Sequence, residues 1–403
     1  MSFPSTLRSA VAAATVLVGA VVLAGCSGGD TAGDSAAGCE EGKIKIGVLL
    51  PLSGPAAAFG QGIEQAIDFA AAEANDDGGI TVGGATCTIE LSRYDTKGSA
   101  EQASAGMNQL ISEGVKFVFG PSLSQEVSAI QQIAARNDIL VIGASYSSTG
   151  ISPDLPLIFG AATTPSSFAG PMAEWVSEAY PDVQDVTVVV PDTQGGNDTA
   201  KVVGKAYDDA GLQATITTFA EATTDFAPFI DGVLRSQPDA IDVASTPPGT
   251  AGVIIKQLRQ AGFDGPVGRL GGESTDAIVN AVGSPEGLGE FYWFAPVDFE
   301  SQPVRDYREK FTAEFGSDPL PISAELLPPA RMLIAAIEKA GSTDPGAVAT
   351  ALESLPIDDP TMGGGYWGGK DFYGIDHEIV LDFNGGQYKN GTITLTPIQV
   401  GAP

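Results

Sequence analysis

The sequence is poor in the residues that most enzymes use for catalysis. It holds one histidine, His377, and three cysteines among 403 residues. A catalytic triad built on histidine and a metal site with several histidines are therefore nearly excluded. The segment after the first predicted strand has no Gly-x-Gly-x-x-Gly motif, and the chain has no phosphate-loop lysine pattern. These absences exclude most covalent and redox chemistry and predict a binding protein without metal or cofactor.

Basic residues are also scarce. The chain has 20 Lys and Arg against 50 Asp and Glu, which gives a formal charge of -30 at pH 7. Such a polyanion should repel nucleic acid and anionic lipid. The acidic residues are spread along the chain, a distribution typical of a solvated surface. A chain of 403 residues is too long for one ordinary core, so two domains are expected.

Long apolar runs are limited to the N-terminus. Arg8 precedes the apolar stretch AVAAATVLVGAVVLAG, which ends just before Cys26. The stretch is short for a membrane span and has the flanks of a signal peptide. The residues LAGC resemble a bacterial lipobox, which implies cleavage before Cys26 and attachment of a diacylglycerol to its thiol. We therefore expect a signal peptide at 1–25, a lipid anchor at Cys26 and a flexible tether over 26–42.

The small number of cysteines leaves few possible pairings. If Cys26 carries lipid, Cys39 and Cys87 remain, and thiols outside the cytoplasm can form one structural disulfide. Cys39 precedes the first predicted strand, and Cys87 opens the second. If those strands are parallel neighbours, their starts lie side by side and the bridge is geometrically plausible. The alternative is a pair of buried free thiols.

Strands and helices alternate from Ile44 onward. Continuous apolar segments predict strands, and segments with apolar residues at helical spacing separate them. The predicted strands are 44–50, 88–95, 115–119 and 139–142, then, after the pattern restarts near Pro171, 186–190, 213–219, 240–244, 266–270 and 290–294. Repeated strand–helix units with buried strands indicate parallel sheets covered on both faces. The expected fold is α/β, with two doubly wound parallel-sheet lobes joined by a multi-strand hinge.

The order of the elements predicts how the lobes share the chain. The helices predicted after residue 300 suit the outside of the first lobe, so the chain should cross between lobes more than once. We assign 43–161 plus 297–357 to the first lobe and 162–296 plus 358–403 to the second. A cleft should lie between them, because ligands of open α/β sheets bind beyond the carboxyl ends of the strands.

Hydroxyl groups follow three strands of the first lobe. The residues are Ser53, Gly54 and Phe59 after strand one, Ser122 and Ser124 after strand three, and Ser145, Tyr146 and Ser147 after strand four. No Lys or Arg lies among them. Hydroxyls and unpaired N–H groups at helix starts, without a cation, suit a carboxylate held by neutral donors. The alternative is that these serines are helix N-caps and turn residues.

Four motifs of the first lobe are similar to those of the leucine/isoleucine/valine-binding protein family, the type I solute receptors of bacterial ABC transporters. They are IKIGVLLPLSGPAAAFGQG, DTKGSAEQA, VFGPSLSQEVSAI and ILVIGASYSS, and weaker similarity continues through IIKQLRQAGF and GGEST. The resemblance implies the type I periplasmic binding protein fold. It also implies that Ser124, Ser145 and Ser147 hold a ligand carboxylate. Phe59 would pack on the ligand, and Glu273 would bind its ammonium group.

One segment departs from the family pattern. Family members usually carry Asp-x-x-Tyr-Gly after the first strand of the second lobe, and that tyrosine lines the cleft. This chain has PDTQGGND there, with Gly195 near the place of the tyrosine, and the later loop STPPGT lacks the usual aromatic residue. The side-chain end of the ligand is therefore expected to differ, with room for a larger or more polar group.

Together these features predict a monomeric, lipid-anchored solute receptor on the outer face of the cytoplasmic membrane. Its expected ligand is an amino acid, branched-chain-like or another small zwitterion. Its expected partners are the permease subunits of an ABC transporter, and no nucleic acid. Three alternatives remain: a receptor for an amide, urea-like compound or small organic acid, a ligand-binding sensor, and an anchored hydrolase that uses two facing carboxylates.

Overall fold

The computed structural model describes residues 39–54, 56–144, 149–271 and 275–400. The first part of the chain alternates strands and helices. Its elements are β1 (Lys43–Leu50), α1 (Ala57–Asp76), β2 (Ile80–Val82), β3 (Ala85–Asp95), α2 (Ala100–Ser112), β4 (Phe117–Phe119), α3 (Ser124–Arg136), β5 (Leu140–Gly143) and β6 (Ile158–Gly160). The predicted strands of this half are all present, and two short strands, β2 and β6, are additions.

The middle of the chain repeats the same alternation. Its elements are α4 (Pro165–Ala179), β7 (Asp185–Pro191), α5 (Gln194–Asp209), β8 (Gln213–Phe219), α6 (Ala227–Leu234), β9 (Ala240–Asp242), α7 (Pro248–Gln260), β10 (Val267–Arg269), α8 (Thr275–Val282), a 3₁₀ helix (Pro285–Leu288) and β11 (Phe291–Ala295).

Helices and then short strands complete the chain. They are α9 (Gln302–Phe315), α10 (Pro321–Ala340), α11 (Pro345–Ser354), β12 (Ile357–Asp359), β13 (Gly363–Gly368), α12 (Lys370–Tyr373), β14 (Glu378–Leu381), β15 (Phe383–Lys389) and β16 (Thr392–Ile398). In the part of the chain that the structure describes, none of the helices combines the length and apolar character that a bilayer crossing requires.

Within the described residues the strands form two sheets. The first has nine strands in the order β12-β13-β14-β6-β5-β4-β1-β3-β2, and the second has seven in the order β16-β15-β11-β10-β9-β7-β8. The central pairings of both sheets are parallel, and the antiparallel pairs lie toward the edges. The expected class, α/β with two doubly wound parallel sheets, is confirmed, and both sheets also contain antiparallel pairs.

Each sheet is covered on both faces, as its continuous apolar strands require. In β1, Ile46 and Val48 join one core with α1 and α10, whereas Leu49 joins another core with α2 and α3. This alternation follows from the two-residue period of a strand. The second sheet packs against α4 and α5 on one face and against α6, α7 and α8 on the other.

The chain passes between the sheets three times within the described residues. The crossings lie at 161–164, at 296–301 and at Asp382, between β14 and β15. The expectation of several crossings agrees with this arrangement. The strand membership differs from the assignment of 358–403 to the second lobe, because β12, β13 and β14 pair in the first sheet. Only β15 and β16 of that segment join the second sheet.

The disulfide between Cys39 and Cys87 is present. Its geometric basis is the one expected, because β1 and β3 are parallel neighbours with Lys43 opposite Thr88. The bond ties the residues just before β1 to the start of β3, so the alternative of two free thiols is excluded. Cys26, the predicted lipid anchor, lies outside the described residues.

Candidate ligand-binding site

The carboxyl ends of three adjacent strands form one rim of the candidate site. In the first sheet, β1, β4 and β5 are consecutive neighbours, and α1 and α3 begin shortly after β1 and β4. The turn after β4 is tight, because a Cβ atom at Gly120 would lie 2.3 Å from the carbonyl oxygen of Leu49. Gly120 also has a positive φ of 98°, which favours glycine.

Phe59 lies in the first turn of α1 and is 40% exposed. The next residue, Gly60, fits against the end of β1, since a Cβ there would lie 2.2 Å from the carbonyl oxygen of Pro51. This close approach fixes the start of α1 beside the strand end. Part of the Phe59 side chain is thus exposed at this rim, at the start of the helix.

Both the hydroxyl and the backbone N–H of Ser53 are hydrogen-bonded to Asp95. Its hydroxyl donates to Asp95 Oδ2 at 2.5 Å, and its backbone N–H donates to Asp95 Oδ1 at 3.2 Å. Leu52 and Lys97 also donate backbone N–H groups to Oδ1. Burial acts to raise the pKa of Asp95, but these hydrogen bonds outweigh it and hold the pKa below its ordinary value. Ser53 is therefore a turn residue, as the alternative interpretation proposed.

At the start of α3, the carboxylate of Glu126 accepts a backbone hydrogen bond from the same helix start. Glu126 is fully buried, and its Oε2 accepts the backbone N–H of Leu123 at 3.3 Å. Its Oε1 accepts the hydroxyl of Thr96. Burial raises the pKa of Glu126, against the lowering effect of these hydrogen bonds. Sequence reasoning did not identify Glu126, although an acid three residues after a helix N-cap is a recognisable capping signal.

Two serines flank Leu123 at this helix start. Ser124 is the first residue of α3 and takes part in further interactions of the folded chain. Ser122 is 4% exposed, and its hydroxyl has no hydrogen-bond partner in the described structure. Buried hydroxyls are normally paired, so Ser122 is an exception that needs an explanation.

Four predicted ligand contacts lie outside the described residues: Ser145, Tyr146, Ser147 and Glu273. The residues that lead into their loops are well fixed. Ala144 donates its N–H to the carbonyl oxygen of Pro121 at 3.0 Å, which joins the ends of β4 and β5. Gly271 is buried so closely against the loop after β9 that a Cβ would lie 2.4 Å from the carbonyl carbon of Ala244.

The second sheet presents an equivalent rim. Its strands β10, β9 and β7 are consecutive neighbours, and α8, α7 and α5 begin beyond their carboxyl ends. Thr193 caps α5, because its hydroxyl accepts the N–H of Gly196 at 3.1 Å. Gly195 is exposed, and a Cβ atom placed on it would meet no heavy atom within 4 Å. The position at which the family pattern has a tyrosine is thus bordered by open space.

A buried polar network supports this second rim. Asp242 is fully buried and accepts the hydroxyl of Tyr207 at 2.6 Å and the N–H groups of Ala244 and Leu270. Burial raises the pKa of Asp242 despite these hydrogen bonds. Arg269 donates to the carbonyl oxygens of Ala244 and Thr246 at 3.0 and 2.6 Å. The network holds together the loops that follow β9 and β10.

His377 has a structural role. It is 1% exposed and stacks on Phe159 with ring centroids 3.9 Å apart. Its Nε2 lies 2.8 Å from Glu353 Oε1, and its Nδ1 lies 3.2 Å from the carbonyl oxygen of Ile158. Over the described ranges, no cluster of three or more potential metal ligands occurs.

Two cavities lie away from both rims. An open groove of about 640 Å³ runs between α1, α9 and α10 on the outside of the first sheet. A smaller cavity of about 300 Å³ adjoins the crossings at 296–301 and Asp382. Neither contains a predicted ligand contact, so the candidate site rests on the strand ends and not on cavity size.

Comparison with known proteins agrees with this geometry. A family model described as "Periplasmic binding protein" matches residues 43–392. A protein of Pseudomonas aeruginosa named leucine-, isoleucine-, valine-, threonine- and alanine-binding protein is 29% identical over 330 residues, which is 79% of this chain and 84% of that protein.

Solved structures show the same fold. One is a branched-chain amino acid transporter substrate-binding protein of Streptococcus pneumoniae in complex with isoleucine, with a TM-score of 0.70 and 20% identity over 88% of this chain and 99% of that one. Another is an ABC transporter solute-binding protein of Rhodopseudomonas palustris in complex with 3,4-dihydroxybenzoic acid, with a TM-score of 0.68 and 19% identity over 88% of this chain and 96% of that one.

Proteins of this family are exported solute receptors and not enzymes. The chain belongs to the periplasmic binding protein family, in its leucine/isoleucine/valine-binding group.

Proposed function

We propose that this protein is the solute-binding component of an ABC transporter and binds a small zwitterionic amino acid between its two lobes. The observation that carries the proposal is the pair of rims. Helices α1 and α3 start at adjacent strand ends of the first sheet, and α5, α7 and α8 start at adjacent strand ends of the second. The first N–H groups of a helix have no partner within the helix and carry partial positive charge, and at α3 and α5 the chain's own Glu126 and Thr193 each accept one N–H group. The named ligands of the relatives support an amino acid.

The first lobe would hold the ligand carboxylate. In this proposal Ser124 and the loop residues Ser145, Tyr146 and Ser147 provide neutral donors, while Phe59 packs on the ligand. A hydrogen bond to a charged partner contributes about 1.5–3 kcal/mol net. Three or four such bonds, less the several kcal/mol that association costs, could reach the roughly -8 kcal/mol of micromolar binding.

The second lobe would complete the site by closing. Glu273, which follows β10 by four residues, would accept the ligand ammonium. Closure requires a contact of this kind, because a ligand shifts an equilibrium only through a difference in affinity between the two states.

Calorimetry of the full chain against the twenty standard amino acids tests the proposal. We expect micromolar binding of at least one amino acid, and roughly 10- to 100-fold weaker binding in Ser124→Ala and Glu273→Ala, the cost of one charge-assisted hydrogen bond. Matched controls are Ser112→Ala and Glu178→Ala, which alter exposed residues at the far ends of α2 and α4. No binding by any amino acid would refute the ligand class, and unchanged affinity in Glu273→Ala would remove that residue from the site.

A second ligand class is favoured by the open space beside Gly195. A small organic acid, amide or urea-like compound would use this space and would not need Glu273. The same calorimetric panel should therefore include benzoates, short-chain amides and urea. Tight binding of one of these, with affinity that Glu273→Ala leaves unchanged, would replace the amino acid.

We also propose that Cys26 carries a lipid that anchors the mature protein to the outer face of the cytoplasmic membrane, where it serves the permease subunits as a monomer. Metabolic labelling with a fatty-acid analogue should mark the wild-type protein and not Cys26→Ser. Loss of ligand uptake on deletion of the protein would support a transport role, whereas unchanged uptake would favour a sensor.

A further inference from the structure

Glu378 lies where the chain leaves the first sheet for the second. It is fully buried at the start of β14 and pairs with Gly160 of β6. One residue, Asp382, separates β14 from β15 of the second sheet. The neighbouring crossing at 161–164 leads from β6 into α4. Glu378 therefore lies between two of the three crossings.

The carboxylate of Glu378 joins elements of the two lobes. Its Oε1 accepts the backbone N–H of Thr164 at 2.6 Å, and its Oε2 accepts the hydroxyl of Ser166 at 3.1 Å. Thr164 is the N-cap of α4, whose apolar face packs against the second sheet through Phe168 and Met172. The side chain thus connects a strand of the first sheet to the start of a helix that belongs to the second.

The carboxylate is enclosed, and the groups of the described chain that donate hydrogen bonds to it, from Thr164, Ser166 and Ser167, are neutral. Gly369 borders it, since a Cβ there would lie 3.2 Å from Oε2. The hydroxyl of Tyr373 lies 3.4 Å from Thr164 Oγ1 on the same side. Tyr366 of β13 faces the same region, because burial first, then the charge of Glu378 and then that of Asp376 raise the pKa of Tyr366.

The titration range of Glu378 follows from this enclosure. Burial raises its pKa to about 7, although Thr164, Ser166 and Ser167 donate hydrogen bonds that act to lower it. Burial also raises the pKa of Tyr373, which stays neutral in this range. His377 faces away from the carboxylate, toward Glu353 and the carbonyl oxygen of Ile158.

We propose that Glu378 is a positioning residue that couples pH near neutrality to the equilibrium between the open and closed arrangements of the lobes. In the enclosed arrangement the carboxylate holds the start of α4 against β14 through two hydrogen bonds, but burial raises its pKa, so this arrangement binds the proton more tightly than a hydrated one. Ionisation therefore works against the enclosure, and the second lobe moves more easily about the crossings as the pH rises through neutrality. The effect on affinity rests on the proposed function, because only a ligand that closes the lobes reports this equilibrium.

The test compares wild type, Glu378→Gln and Glu353→Gln at pH 5.5, 6.5, 7.0, 7.5 and 8.0. Glu378→Gln keeps the shape and an acceptor oxygen but does not titrate. Glu353→Gln is the matched control, since it removes the carboxylate that contacts His377, the residue just before Glu378. The dissociation constant for L-leucine is measured by calorimetry, and the radius of gyration of the empty protein by small-angle X-ray scattering.

We expect the wild-type dissociation constant to change at least about threefold across this range with a midpoint near pH 7, and the radius of gyration to change with the same midpoint. Glu353→Gln should behave in the same way, and Glu378→Gln should show neither change. A wild type without a pH-dependent step, a step retained in Glu378→Gln, or a step lost in Glu353→Gln would each overturn the inference. If L-leucine does not bind at any pH, the amino-acid proposal is weakened, and the scattering series still decides the role of Glu378.

Discussion

At the residue scale, buried carboxylates organise the ends of the strands and the crossings. Glu126, Asp242 and Glu378 are each fully buried, and each accepts at least one backbone N–H beside a helix start or loop. Burial raises the pKa of all three. An ionisable group of this kind makes stability depend on pH, because its proton affinity differs between the folded and unfolded chain.

The raised pKa of Glu378 predicts the direction in which the free energy of unfolding changes with pH. Its pKa rises from an ordinary value of 4.5 to about 7 on folding. The folded protein therefore binds this proton more tightly, so the associated stability is fully present below about pH 4.5 and is lost as the pH rises through about 7. At about 1.4 kcal/mol for each pKa unit, the full loss should be about 3.5 kcal/mol.

Urea denaturation of wild type and Glu378→Gln at pH 5.0, 6.0, 7.0 and 8.0 measures this effect. Because glutamine does not titrate, the unfolding free energy of the variant should rise relative to that of wild type as the pH increases, and the difference should level off above about pH 7. A difference in unfolding free energy that stays constant over the series would contradict the assignment, because it would report only the change in packing.

At the element scale, the site depends on helices that begin very close to the strand ends. The turn between β4 and α3 contains four residues, Gly120 to Leu123, and Gly120 has a positive φ with the carbonyl oxygen of Leu49 directly beside it. Gly60 and Gly196 fit against the carbonyl oxygens of Pro51 and Pro191 in the same way. Glycine at these positions allows the helix starts to approach the rims.

Alanine substitutions at Gly120 and at Gly114, compared with each other, separate the energetic cost of backbone strain from that of steric overlap. Gly120→Ala adds a Cβ 2.3 Å from a backbone oxygen at a φ of 98°, whereas Gly114→Ala adds one at a φ of 82° with no atom within 4 Å. Both should lose the roughly 1–2 kcal/mol of a left-handed non-glycine residue. Gly120→Ala should lose about 2 kcal/mol more, the typical cost of overpacking, as measured by urea denaturation. Equal losses would mean that the turn after β4 relaxes without cost.

At the scale of the whole molecule, two covered sheets share one chain, whose described residues cross between them three times. The disulfide lies where the predicted tether would enter the first sheet, and joins residues 48 apart in sequence. A cross-link of that length stabilises mainly by restricting the unfolded chain, by up to about 4 kcal/mol in the loop-closure model. It should therefore stabilise the first sheet whether or not a ligand is bound.

The double variant Cys39→Ser/Cys87→Ser should show a lower free energy of unfolding by about 2–4 kcal/mol and an unchanged affinity for the ligand of wild type. Reductant should bring wild type to the same stability and should leave the variant unaffected. If wild type and variant unfold at the same urea concentration, the bond contributes nothing to stability, and if reductant also destabilises the variant, the comparison does not report the disulfide.

The sequence by itself determined the features that depend on short-range pattern. Buried strands alternating with amphipathic helices specify α/β layers, and the position of Cys39 and Cys87 at the starts of two successive predicted strands made their pairing foreseeable. The similarity of the first-lobe motifs to a known family was also sufficient for recognition, which the family match confirms. These features can be read locally because strand and helix periods repeat over a few residues.

Tertiary structure alone decided which polar groups find each other. Ser53 pairs with Asp95, Glu126 with Thr96, and Glu378 with Thr164, over separations of 42, 30 and 214 residues. It also decided that β12 to β14 return to the first sheet, a choice that strand pattern does not encode because a strand can pair with any exposed edge. Hydrogen-bond partners and sheet edges are selected by proximity in the folded chain, and proximity over such distances is set by packing.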